Sequence, residues 1–92
     1  MLVVISYDIP NNRRRNKVSK FLLDHGGERV QRSVFECHLT AKQYAAMAAR
    51  LRKMVREDED SFCLYRLCES CRERADYLGA AKPVKEPGLR II

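Results

Sequence analysis

The stretch Leu2-Val3-Val4-Ile5-Ser6-Tyr7-Asp8 decides the fold of this 92-residue chain. Its nearly continuous apolar and β-branched character is typical of a strand that is covered on both faces. Pro10 then limits the strand, because proline cannot donate a hydrogen bond to a neighbouring strand. We therefore expect a central strand at the start of the chain, with Asp8 at its carboxyl end.

Outward from this strand, the spacing of apolar residues changes between helical and strand periods. Capping residues mark where the two longer helices begin. The predicted elements are a helix capped by Asn11 or Asn12 and ended by Gly26-Gly27, a strand region from Glu28 to Leu39 with a bulge near Gln31, a helix begun by the capping box of Thr40 and Gln43, an exposed turn at Glu57 to Asp60, a strand from Ser61 to Cys68, and a short strand from Arg74 to Leu78.

This order of elements predicts an α+β, ferredoxin-like βαββαβ fold with an antiparallel sheet and an additional C-terminal strand. Residues 1–78 would form a single domain, and residues 79–92, which include Pro83 and Pro87, a tail. In this fold the helices cover one face of the sheet and leave the other open. Because an open apolar face on so small a protein favours a second copy, we expect a homodimer.

The net charge of +6 lies in the first half of the chain. Residues 1–56 hold twelve basic and four acidic residues, a net charge of +8, and the block from Glu57 to Asp60 removes four. Arginine outnumbers lysine by twelve to six, and its planar fork suits phosphate oxygens. The pattern favours a polyanionic partner, although charge alone leaves simple solubility as an equal alternative.

The length and the apolar runs exclude several classes of protein. A chain of 92 residues leaves no room for a repeat array or two large domains. A membrane-spanning helix needs roughly 18 apolar residues, and no run in this chain approaches that length. The run from Leu2 to Ile5 is also too short for a signal peptide. We therefore expect a cytoplasmic protein whose four cysteines are thiols.

Asp8 is the most informative polar residue, since it follows the buried strand directly and precedes a basic helix. A carboxylate on a rigid strand end suits Mg²⁺ or Mn²⁺, which one or two carboxylates, waters and substrate phosphate can hold. A role in capping or turn formation is the alternative. One chain offers only one such carboxylate, so a two-fold dimer would supply the pair.

Basic and aromatic residues surround this strand end in the sequence. Five cations follow within three turns, and two more come from the next strand region; they could flank a phosphate backbone or form a solvated surface. They are Arg13, Arg14, Arg15, Lys17, Lys20, Arg29 and Arg32. Tyr7 and Phe35 are candidates for stacking on bases, whereas Tyr44 and Tyr65 occupy positions typical of core packing.

Other motifs for catalysis are weak. The sequence contains no Ser-His-Asp arrangement, no glycine-rich phosphate loop and no His-Cys metal cluster. Cys68 and Cys71 form a single Cys-x-x-Cys, and a zinc site would need a second pair. Cys37 and Cys63 alternate with apolar strand residues, and we expect both to be core thiols.

Three segments together resemble the Cas-two family of CRISPR-associated proteins. They are Val4-Ile5-Ser6-Tyr7-Asp8-Ile9-Pro10, Arg15-Asn16-Lys17-Val18 and Gln31-Arg32-Ser33-Val34-Phe35-Glu36, and the likeness covers roughly residues 1–78. The resemblance implies a ferredoxin-like homodimer whose last strand, here Arg74 to Leu78, pairs with the partner's sheet.

The resemblance also implies two activities. Family members are described as metal-dependent endonucleases acting on single-stranded RNA or duplex DNA, with the residue matching Asp8 as the metal ligand. They also form the dimer that bridges the Cas-one integrase and holds DNA during spacer acquisition. The matching positions here are Tyr7, Asp8, Arg15, Lys17, Arg29, Ser33 and Phe35. A free-standing regulatory RNA-binding or toxin-like ribonuclease is the alternative.

Overall fold

A computed structural model describes residues 1–76, 78 and 79, and it confirms the ferredoxin-like α+β prediction. The elements are β1 (Leu2–Asp8), α1 (Asn12–Asp24), β2 (Glu28–Gln31), β3 (Val34–His38), α2 (Ala41–Met54), β4 (Ser61–Leu67) and α3 (Glu69–Glu73). In the described part of the chain, no helix is long and apolar enough to cross a membrane.

β1 lies inside the sheet, whose antiparallel strands are ordered β2-β3-β1-β4. β3 pairs with it from Leu2 to Ser6, whereas β4 accompanies it over its full length and places Ser61 opposite Asp8. The predicted central strand is confirmed. Because hydrogen bonds on both sides fix β1, the backbone that carries Asp8 is held by the rest of the sheet.

Both long helices pack on one face of the sheet. The side chains of Val3, Ile5 and Tyr7 alternate with outward residues along β1 and enter this core. Its other buried members are Ile9, Val18, Phe21, Leu22, Phe35, Cys37, Leu39, Met47 and Leu51. The opposite face of β1 carries Val4 and Ser6, which are half-buried.

The predicted caps fix where α1 and α2 begin. The side-chain oxygen of Asn11 accepts a hydrogen bond from the backbone N–H of Arg14 at 2.9 Å. Thr40 and Gln43 form the predicted capping box, in which each side chain accepts from the other residue's backbone N–H at 3.1 and 2.9 Å. These bonds satisfy N–H groups that the first turn of a helix leaves without partners.

Two glycines end α1, as predicted. Gly26 adopts a left-handed backbone conformation, with a φ of +85°, that glycine tolerates without strain. Gly27 then donates its N–H to the carbonyl of Leu22 at 2.8 Å. A Cβ at Gly27 would lie 2.8 Å from that oxygen and 2.9 Å from Cys37 Sγ, so a side chain there would push α1 away from the sheet.

The strand region from Glu28 to Leu39 divides into β2 and β3. Their register shifts between Arg29 and Gln31, which confirms the predicted bulge, and Arg32 and Ser33 form the turn. This turn lies beside the end of β1, because the Ser33 carbonyl accepts a hydrogen bond from Tyr7 N–H at 3.1 Å.

The prediction that Cys63 and Tyr65 are core residues is wrong. Both belong to β4, where the alternate residues Phe62 and Leu64 contact the core. Cys63 and Tyr65 therefore point to the opposite face of the sheet. The Tyr65 side chain is accordingly 55% exposed. β4 is apolar at both sets of alternating positions, so the sequence did not determine which set would be buried.

The strand predicted from Arg74 to Leu78 also differs from the structure in its described residues. Arg74 is a turn residue that ends α3, while Ala75, Asp76 and Leu78 have no strand assignment. An ion pair between Glu69 and Arg72, one turn apart, supports α3. The predicted tail lies outside the described residues beyond Gly79.

Candidate nucleic-acid interface

Three segments meet where β1 ends. Asp8 is exposed there and lies opposite Ser61 at the start of β4. The Tyr7–Ser33 hydrogen bond brings the β2–β3 turn, with exposed Arg32, to the same end of the sheet. The structure thus places a carboxylate on a fixed strand end beside a basic turn.

The donor set at this end fits a hard cation only in part. Among residues 1–76, 78 and 79, no group of three or more His, Cys, Asp or Glu side chains could hold a metal ion. Asp8 is an exposed oxygen donor, and Mg²⁺ characteristically keeps several waters and uses one or two carboxylates. At this end of the sheet, Asp8 is the single exposed carboxylate that β1 supplies.

A basic groove about 480 Å³ in volume lies between the start of α1 and the end of α2. Its exposed cations are Arg13 and Lys17 from α1 and Lys53 from α2. Within the described residues, these three side chains form no ion pair, so their charges are available to an external anion. Sequence analysis missed Lys53, which is distant in sequence and becomes a neighbour only when the helices pack.

Arg14 has a different role from its neighbours. Its Nε donates to Asp60 Oδ2 at 2.5 Å, and its Nη2 donates to Asp60 Oδ1 at 2.9 Å and to Glu59 Oε1 at 2.5 Å. These ion pairs raise the Arg14 pKa, and the hydrogen bonds from Arg14 hold the Asp60 pKa below its usual range. The Arg14 guanidinium joins α1 to the loop before β4.

Arg15 stabilises the turn between β1 and α1 through two hydrogen bonds. Its Nη1 donates to the Ile9 carbonyl at 3.0 Å, and its Nη2 donates to the side-chain oxygen of Asn12. Both partners lie close to Arg15 in the sequence. The guanidinium therefore orders the segment that follows Asp8.

Arg29 is likewise engaged within the chain. Its guanidinium donates to the Ser19 hydroxyl on α1 and lies 5.2 Å from the centre of the Phe35 ring. The hydrogen bond joins β2 to α1, and the cation–π contact joins it to β3. Among the predicted cations, Arg13, Lys17 and Arg32 are exposed and make no ion pair within the described residues, whereas exposed Lys20 pairs with Asp24.

The prediction that Tyr7 and Phe35 stack on bases is corrected by their burial. Phe35 is 0% exposed and Tyr7 is 6% exposed. The Tyr7 ring stacks between Phe35 and Phe62, with centroid separations of 6.2 and 5.5 Å. Because these contacts occupy the ring faces, both residues support the strand that carries Asp8 and have no free face for a base.

The match to known proteins decides the family. A family model described as CRISPR associated protein Cas2 matches residues 1–75. The chain belongs to the Cas2 family. This confirms the resemblance found in the three sequence segments.

Individual Cas2 relatives match over most of their length. The chain is 42% identical to the CRISPR-associated endoribonuclease Cas2 1 of Chloroflexus aurantiacus, over 90% of this chain and 89% of the relative. The crystal structure of Streptococcus pyogenes Cas2 superimposes with a TM-score of 0.73 at 34% identity, covering 86% of this chain and all of that one.

A more distant structure shows the same fold. A chain of a partial Cas6-RT-Cas1–Cas2 complex superimposes with a TM-score of 0.68 at 22% identity, covering 92% of this chain and 97% of that one. The ferredoxin-like arrangement of this Cas2-family chain is therefore retained at low sequence identity.

Proposed function

We propose that this Cas2-family chain is a nucleic-acid-binding homodimer of CRISPR adaptation with metal-dependent endonuclease activity centred on Asp8. The position of Asp8, exposed on a strand that is fixed on both sides, carries the proposal. The Chloroflexus relative is named an endoribonuclease, which supports cleavage of RNA; duplex DNA is the other expected substrate.

A homodimer would supply the second carboxylate for the proposed metal site. Each described chain brings one exposed Asp8 to this end of the sheet, and a two-fold axis near it would bring two. The sheet face opposite α1 and α2 also offers apolar and aromatic surface, including half-buried Val4 and exposed Tyr65. A second copy that covered this face would remove that surface from water.

Two Asp8 carboxylates would hold Mg²⁺ or Mn²⁺, which when bound polarises a phosphodiester and lowers the pKa of an attacking water. The chain's own residues would bind and orient the nucleic acid. Arg32 lies in the turn beside Asp8, and Ser33 fixes that turn to β1. Arg15 orders the backbone that follows the carboxylate.

The basic groove would hold the nucleic-acid backbone farther from Asp8. Arg13, Lys17 and Lys53 are exposed and converge from two helices. Such cations contact phosphates of any sequence, so the groove supports binding strength and positioning more than base selectivity.

The partner in adaptation would be the Cas-one integrase. The partial Cas6-RT-Cas1–Cas2 complex contains a chain of this fold in an assembly named for both proteins. A dimer has two equivalent surfaces, so it could bridge two integrase units while the basic grooves hold DNA.

The test is cleavage of labelled single-stranded RNA and duplex DNA with Mg²⁺, Mn²⁺ or EDTA. We expect Asp8→Asn to reduce cleavage roughly hundredfold or more, since it removes a metal-binding charge. Asp24→Asn is the matched control, because Asp24 is also exposed but pairs with Lys20 at the other end of α1. Equal cleavage by the two variants would remove Asp8 from the mechanism.

A scaffold without catalysis is the second candidate, favoured by the single carboxylate and the extended basic groove. It predicts tight, salt-sensitive duplex binding that Asp8→Asn leaves unchanged and that requires no metal. Bridging of the Cas-one integrase in co-purification would distinguish it from a free-standing toxin-like ribonuclease, which would cut RNA without that partner.

A further inference from the structure

The Cys-x-x-Cys motif lies at a junction between a strand and a helix. Cys68 directly follows β4 and occupies the N-cap of α3, and Cys71 lies within that helix. The Arg72 N–H donates to the Cys68 carbonyl at 3.0 Å, which closes the turn between the cysteines. Residues three apart in a helical turn have Cβ atoms about 5–6 Å apart, and a disulfide needs about 3.5–4.5 Å, so bond formation requires the first turn of α3 to tighten by about 1–2 Å.

The two thiols interact with each other. Side-chain interaction with Cys68 raises the pKa of the Cys71 thiol. The Cys68 pKa is lowered, chiefly by the backbone N–H of Cys71 and then by its thiol. The Cys68 side chain makes no capping hydrogen bond of regular geometry, so nearby N–H dipoles rather than a full cap favour its thiolate.

The other two cysteines lack this arrangement. Cys37 is buried in the core, where desolvation raises its pKa to about 11. Cys63 is exposed on β4 but lies on the sheet face that the proposed second copy would cover. The chemistry that follows therefore belongs to the motif and is not shared by every cysteine of the chain.

The number of available ligands distinguishes zinc binding from disulfide formation as a use of the Cys-x-x-Cys motif. Structural zinc takes four ligands, whereas Cys68 and Cys71 supply two, and the described residues bring no third His, Cys, Asp or Glu to them. A dithiol that forms a disulfide needs only these two sulfurs. Both are exposed, so a small reagent can reach them.

We propose that Cys68 and Cys71 form a reversible dithiol–disulfide pair that exchanges with low-molecular-weight disulfides of the glutathione class. The Cys68 thiolate attacks one sulfur of the small disulfide, forms a mixed disulfide and releases one small thiolate. Cys71 then loses its proton, its sulfur attacks Cys68 Sγ, and the second small thiolate leaves. Two protein thiols are oxidised, and two small thiols form with the two protons released by the cysteines.

The test incubates the reduced full-length chain, treated with EDTA, in mixtures of oxidised and reduced glutathione, followed by intact-mass and peptide analysis. We expect the wild type to become lighter by two hydrogens, with the loss in the peptide that contains both cysteines. Cys71→Ser should instead retain one glutathione on Cys68, because the resolving thiol is absent. Cys63→Ser is the control and should behave as the wild type.

Alkylation rates give a second measurement that does not require a disulfide. At pH 7, Cys68 should react severalfold faster than reduced glutathione, a free thiol of ordinary pKa, because its thiolate fraction is larger. A Cys68 rate no faster than that of glutathione would overturn the assignment of Cys68 as the attacking thiol. Accumulation of glutathione adducts on the wild type without an internal disulfide would overturn the pair, as would stoichiometric Zn²⁺ binding that protects both thiols.

Discussion

Arg14 forms a bidentate ion pair with Asp60, in which Nε lies 2.5 Å from Oδ2 and Nη2 lies 2.9 Å from Oδ1. The Asp60 side chain is fully buried, and Oδ2 also accepts from the Arg56 backbone N–H at 2.9 Å. Since Asp60 precedes the first residue of β4, the pair joins the basic helix to the strand beside β1. The acidic block predicted as an exposed turn thus contains a buried structural carboxylate.

Asp60→Asn should lower the melting temperature by several degrees at pH 7, because it removes the charge that Arg14 pairs with. The folded-state pKa of Asp60 is depressed, chiefly by the hydrogen bonds from Arg14. Its stabilisation is therefore present above the unfolded pKa of about 3.9 and is lost as pH falls through the folded value. Thermal unfolding from pH 7 to pH 3 should show the melting temperatures of the wild type and Asp60→Asn converging as the pH falls below about 4. A constant difference across this range would contradict the prediction.

The groove cation Lys53 should contribute to nucleic-acid binding without sequence preference. Lys53→Gln removes one charge from the groove, and we expect the slope of log affinity against log salt to fall by about one. Lys42→Gln is the control, since Lys42 lies at the other end of α2 and outside the groove. Titration of each variant with one duplex and one single strand at several salt concentrations would measure these slopes. Equal changes of slope in the two variants would exclude a specific role for the groove.

Phe35→Ala should destabilise the fold by about 3–5 kcal/mol, because it empties a fully buried aromatic site. Urea unfolding monitored by circular dichroism would measure the loss. Phe35→Leu keeps most of the volume and should remain folded, and its nucleic-acid affinity should match that of the wild type. A large loss of affinity in this folded variant would show that the ring contacts a base after all.

Gly27→Ala should also destabilise the protein, since its Cβ would meet Leu22 O at 2.8 Å and Cys37 Sγ at 2.9 Å. Gly26→Ala strains the left-handed backbone but meets no neighbouring atom, so we expect the smaller effect there. Chemical denaturation of both variants would compare them. A larger loss at Gly26 would mean that backbone strain outweighs the close contact.

Local sequence signals predicted most of the fold. Asn11, Thr40 and Gln43 form caps with partners only three residues away, and Gly26 ends α1 through its own conformation. The apolar character of β1 likewise predicted its central place. These features depend on residues close in the sequence, so they can be recognised without knowledge of the fold.

Contacts between distant residues could not be predicted in the same way. Arg14 meets Asp60 across 46 positions, and no local pattern distinguished this arginine from Arg13. Lys53 joins the groove only through packing of α2 against α1. For Asp8, the strand end was predictable, but its role in metal binding stays a prediction.

The pairing of β1 with β4 also sets when this protein can become functional during synthesis. Leu2 lies opposite Leu67, and Asp8 opposite Ser61, so one side of β1 stays unpaired until β4, the last described strand, has been synthesised. Pairing between strands so far apart in the sequence slows folding. A nascent chain that ends before Ser61 lacks the strand that pairs with Asp8, so incomplete translation products would lack the completed site.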